Sequence, residues 1–119
     1  MKITIPISVG ELLDKISILQ IKSLYTDNVY VHKELDSLIE IAKENKVFDF
    51  KYFDQLLEVN QKLWKIEDEL RVHEKSKDFS DSFVNLARNV YINNDKRSSI
   101  KKEINEKFDS SYREVKIHK

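Results

Sequence analysis

The stretch that decides the fold runs from Glu58 to Glu74, EVNQKLWKIEDELRVHE. Its apolar residues Leu63, Trp64 and Leu70 fall on one face of a helical period, as in an amphipathic helix turned toward a core. The same stripe carries Asn60, Glu67, Arg71 and Glu74. Burying such groups unpaired is strongly unfavourable, so this helix needs polar partners on a facing element.

Candidate partners follow from the elements on either side. KITIPIS alternates Ile3, Ile5 and Ile7 with Lys2, Thr4 and Pro6, which predicts a short strand, confined to an edge by Pro6. Ser8 followed by Glu11 is a capping-box pattern, and Leu12, Leu13, Ile16, Leu19 and Leu24 extend it into a first helix over about 9–25. After the turn at Thr26 to Asn28, Val31, Leu35, Leu38, Ile39 and Ala42 mark a second helix ending near Asn45. Asp49 is a cap candidate for a third helix reaching Lys75. A fourth starts near Ser80 or Asp81 and runs through Phe83, Ala87, Val90, Ile100, Ile104 and Phe108 to about Asp109, with a kink predicted at Asn93 to Asp95. YREVKIHK alternates again and reads as a second short strand.

The expected fold is a single all-α domain over 1–119: an antiparallel four-helix arrangement with a long hairpin of the last two helices and paired terminal β-strands. Length supports one core, not two. Charged residues at 35% with a single glycine and a single proline argue for helices joined by short turns. Lysine plus arginine equals aspartate plus glutamate at 21 each, so the basic footprint of a nucleic-acid binder is missing. Cysteine is absent, which removes disulfides, thiolate metal sites and cysteine nucleophiles. The N-terminus turns acidic too early for a signal peptide and no stretch is apolar enough for a membrane span, so a soluble, cytoplasmic protein is expected.

In an antiparallel hairpin turning at Asp78, Glu67 lies level with Arg88, Asn60 with Arg97, and Arg71 with Asn85. If Ser8 is level with Asp109 between the first and last helices, Lys22 falls near Asp95, and Asp14 near Lys101 or Lys102. A polar layer is therefore predicted across the bundle. Its candidate ligand-binding residues are Lys22, Asn60, Glu67, Arg88, Asn94, Asp95, Arg97 and Lys101, with Trp64 beside them. Two readings compete. The layer is either a set of interhelical pairs that fixes register, or a cleft in which Lys22, Arg88, Arg97 and Lys101 clamp a carboxylate or phosphate. Three of the four arginines, against seventeen lysines, lie on or beside the inner stripe.

Other chemistries find little support. No histidine has a glutamate three residues before it, so the di-iron bundle motif is absent. His32, Asp36 and Glu40 share a helix face, which is more often solvated than metal-binding. Glu11 with Asp14 and Glu103 with Glu106 have a spacing that could hold magnesium, but that spacing is common. No catalytic residue, metal site or cofactor is assigned. The leading expectation is a non-enzymatic helical interaction module, homodimeric through the unpaired length of the third and fourth helices or through the terminal strands, with an unidentified protein partner as a further option and neither nucleic acid nor membrane as partner. The alternative is a binding protein or enzyme for a small anionic metabolite.

SVGELLDKISILQIK (Ser8 to Lys22), NQKLWKIEDELR (Asn60 to Arg71) and FVNLARNVYINNDKRSSIKKEIN (Phe83 to Asn105) together resemble a family of small proteins of unknown function from bacteria and their phages. That resemblance implies a single cytoplasmic domain and carries no substrate or catalytic residue with it. The arginine count is also similar to that of all-α chorismate mutases, which bind a dicarboxylate through arginines and a lysine from several helices. This second likeness is one of architecture alone.

Overall fold

Ser8 stops the extended N-terminal segment because its hydroxyl accepts a hydrogen bond from the Glu11 amide at 3.1 Å, satisfying one of the open donors of a new helix. A computed structural model describes residues 1–118 and places α1 at Val9–Ser23, α2 at Val29–Glu44, α3 at Phe50–Lys75 and α4 at Asp81–Lys107. Asn28 and Asp49 cap α2 and α3 through their side chains, as the turn chemistry predicts. Only one half of the expected capping box forms at α1. The Glu11 carboxylate turns instead to Lys101 on α4.

The helix α1 packs against each of the other three, and α3 and α4 pack on each other. The core is correspondingly centred on α1, where Leu12, Leu13, Ile16 and Leu19 meet Leu35 and Ala42 of α2, Leu56 of α3 and Ile104 of α4. Gly10 lets α1 approach closely: a Cβ there would stand 2.8 Å from the Lys101 carbonyl, and its amide donates to Asn105 Oδ1 at 2.7 Å. The single glycine of the chain thus serves helix contact, not a turn.

Turns are built without glycine. Lys46, Lys77 and Asp109 take left-handed backbone angles with φ of 58°, 53° and 48°. Each follows a helix end in a Schellman arrangement, with the next amide reaching back to the carbonyl of Ala42, His73 or Asn105.

The α3/α4 hairpin is longer than the body it belongs to. At 1.5 Å per residue α1 spans about 22 Å and α3 about 39 Å, so the hairpin continues well past the end of α1. Tyr25 stacks on Trp64 where α1 ends, with ring centroids 5.1 Å apart. Beyond that stack the two helices form an arm, giving extents of 47 × 36 × 27 Å and a radius of gyration of 16.0 Å, against about 13.5 Å for a compact chain of this length.

The expected terminal strands are not formed among the described residues. Ile3, Ile5 and Ile7 are exposed and extended, because their alternation needs a sheet face and none is present. The segment after α4 does not lie against them. It turns back along α4, held by Glu114 to Lys101 and Lys116 to Asp95. The helix α4 is continuous through Asn93 to Asp95, where a kink is expected, with Asn93 Nδ2 donating to the Asn89 carbonyl. No helix of the described residues is long and apolar enough to cross a membrane.

Candidate functional site

Asp14 is fully buried and is the centre of the polar layer. Its carboxylate accepts from Asn60 Nδ2 at 2.9 Å and from Arg97 Nε at 2.9 Å on Oδ1, while Arg97 Nη2 closes on Oδ2. The other Asn60 contact is to Ser17 Oγ at 2.8 Å, and the Ser17 hydroxyl donates to the Asp14 carbonyl at 2.7 Å. Three helices therefore meet in one closed hydrogen-bonded set. The bidentate guanidinium is the geometry that makes burial of a carboxylate tolerable. The Asp14 hydrogen bond holds the Arg97 pKa above its ordinary value although burial opposes it.

One turn along α4 from the half-buried Arg97, Lys101 is a buried cation. Its Nζ lies 2.7 Å from Glu11 and 2.6 Å from Glu114. Burial pushes its pKa down, but the hydrogen bonds to Glu11 and Glu114 more than reverse this, and the net displacement is upward. Arg97 and Lys101 together face three carboxylates, so the pair offers no surplus positive charge.

The predicted layer is assembled in part. Asn60, Glu67, Asn94 and Arg97 line one cavity of about 530 Å³, with Trp64, Leu63, Ile18 and Ile21 supplying its apolar wall. Asn60 and Arg97 do meet, but through Asp14 and not directly. Glu67 and Arg88 are both exposed and no ion pair joins them among the described residues, nor does a hydrogen bond join Arg71 to Asn85. Arg88 is nine residues from Arg97, about 13.5 Å along α4, and contributes nothing to this cavity. Lys22 is exposed at the end of α1, and Asp95 is held by Lys116 instead of Lys22.

The pairing of α1 with α4 explains the shift. Asp14 meets Arg97 and Glu11 meets Lys101, about one and a half turns nearer the start of α4 than a level pairing of Ser8 with Asp109 predicts. Gly10 sets that register by resting on the Lys101 backbone. The sequence places Asp14 near Lys101 or Lys102 but outside the candidate ligand-binding set, and its actual partner, Arg97, lies one turn before Lys101 on α4.

Among the described residues no group of three or more histidine, aspartate or glutamate side chains is placed to hold a metal ion. His32 Nε2 lies 3.0 Å from the Thr26 carbonyl, which accounts for that side chain in the connection before α2. Comparison with models of protein families, with curated proteins and with solved structures finds no match.

Proposed function

We propose that the protein is a cytoplasmic, non-enzymatic helical interaction module that self-associates as a homodimer through the arm of α3 and α4. We keep with this reading the likeness to small bacterial and phage proteins of unknown function. The observation that carries it is the uncovered half of the hairpin. Leu63, Leu70, Phe83 and Val90 are only half-buried between the two helices, and Val72, Val84, Tyr91 and Ile92 face outward. Two helices cannot bury such a seam by themselves, whereas two hairpins packed together make a four-helix core.

The cation clamp of the competing reading lacks convergence. Arg97 and Lys101 are neutralised by Asp14, Glu11 and Glu114, and Lys22 and Arg88 lie elsewhere. Light scattering at micromolar concentration tests the proposal: a mass of two chains is expected, falling to one for the paired surface changes Val84→Glu and Tyr91→Glu. A wild-type mass of 14.2 kDa throughout that range overturns it.

A further inference from the structure

Lys101 is a buried cation whose two carboxylate partners are anchored very differently. Glu11 belongs to α1 and is fixed by the packing of that helix on α4. Glu114 belongs to an extended segment that makes no backbone hydrogen bond to a helix among the described residues. Ser110 is its last firm attachment, buried and accepting from the Val9 amide at 3.1 Å. Arg113 bonds only its near neighbours Asp109 and Ser110. Beyond these, Glu114 to Lys101 and Lys116 to Asp95 hold the segment down, and the second pair is solvent-exposed and weak. Val115 and Ile117 project into solvent, about four-fifths exposed.

Between the segment and α4 lies a cavity of about 540 Å³, floored by Asn94, Arg97, Ser98 and Lys101 and walled by residues 114–118 of the segment itself. Lifting Glu114 away leaves Lys101 with Glu11 alone. An ammonium group has three donors, and in a buried position a donor left without an acceptor is costly. The helices alone balance Arg97 and Lys101 with Asp14 and Glu11, so what the site has for one further carboxylate is an open hydrogen-bond position on Lys101 and not a surplus charge.

We propose that Lys101 is the floor of a carboxylate-binding seat which Glu114 fills from within the chain, and that an external carboxylate can take its place. The ligand class is a carboxylate with further acceptors that can reach Ser98 and Asn94. This site is separate from the arm and does not depend on dimerisation. Three residues lie between Ser110 and Glu114, and so short a tether presents the carboxylate at an effective concentration on the order of millimolar. A simple monocarboxylate cannot compete below that range, whereas a ligand with several contacts can.

The test uses the full chain and the variant Glu114→Gln, titrated calorimetrically with citrate and, separately, with a capped peptide of sequence YREVKIH. Removing the internal competitor is expected to tighten binding roughly ten-fold or more, since apparent affinity scales with the fraction of open sites. Amide shifts at Asn94, Ser98 and Lys101 should accompany it in Glu114→Gln. Tightening for citrate alone supports a free carboxylate as ligand, and tightening for the peptide alone supports a glutamate-bearing segment of a protein. Equal affinity of variant and wild type for both probes overturns the proposal, as does absence of binding to the variant up to about 10 mM, well above the tether's effective concentration. Shifts confined to other residues overturn it as well, so the outcome does not rest on a Lys101 variant that could fail to fold.

Discussion

Arg97 closes both arms of its guanidinium on the fully buried carboxylate of Asp14, joining α4 to α1 at the point where Asn60 of α3 also binds. Breaking such a pair from one side leaves a buried charge without its counter-ion. Arg97→Met is therefore expected to destabilise the fold by about 3 to 5 kcal/mol, and the double change Arg97→Met with Asp14→Leu to recover much of that. Urea unfolding of the single and double variants measures the coupling directly. Arg88→Met, by contrast, removes an exposed side chain and should stay within about 0.5 kcal/mol of wild type.

Gly10 admits no side chain without moving α1. The nearest atom to an added Cβ is the Lys101 carbonyl oxygen, part of a helix backbone that cannot swing aside. Gly10→Ala gains helix propensity but should still lose about 1 to 3 kcal/mol from the forced shift. A lower melting temperature accompanied by altered chemical shifts at Asn105 is the expected result, and an unchanged melt would contradict the close approach.

Asp49 caps α3 and is paired with Lys107, whose hydrogen bond is the main cause of a carboxyl pKa below the ordinary value, followed by the Tyr52 amide. A carboxylate with a lowered folded pKa contributes stability that is complete above its unfolded value near 3.9 and is lost as pH falls through the lowered one. Melting temperatures should accordingly drop in acid below about pH 4. Asp49→Asn retains the cap, loses the pairing with Lys107, and should fall less steeply over the same acidic window.

Lys77 carries a left-handed backbone in the turn between α3 and α4, where glycine is free of the Cβ penalty. Lys77→Gly should stabilise the protein by about 0.5 to 1 kcal/mol after allowance for the greater freedom of the unfolded glycine. Scanning calorimetry should show a rise in melting temperature of up to about 4 °C.

The helices were legible because their apolar periodicity and caps agree: Ser8, Asn28 and Asp49 all cap where turn chemistry places them. The partners of the polar stripe were legible only in part. Hairpin arithmetic gives the height of a residue along a helix and says nothing of its direction around the axis. Arg97 points inward and is found at the layer, while Arg88 points to solvent although it is level with Glu67. The height of α1 against α4 is set by the contact of Gly10 with the Lys101 backbone, a feature no periodic pattern records, and level pairing therefore puts Asp14 near Lys101 or Lys102 instead of Arg97. The terminal alternation was read as strands, yet a strand exists only when a second backbone lies beside it.

The meeting of Val9 with Ser110 places the points where the chain leaves the helical body side by side. Pulled from its two ends, such a chain meets the load as a zipper does, one contact after another. The tail pairs Lys116 with Asp95 and Glu114 with Lys101 would yield first, then the Val9 hydrogen bond, then Gly10 from Asn105, Glu11 from Lys101, and Asp14 from Arg97 last, in the order of their distance from the ends. The arm of α3 and α4 lies off the line of force until that sequence is complete. A dimer joined through the arm would therefore keep its grip while the rest of each chain is drawn open.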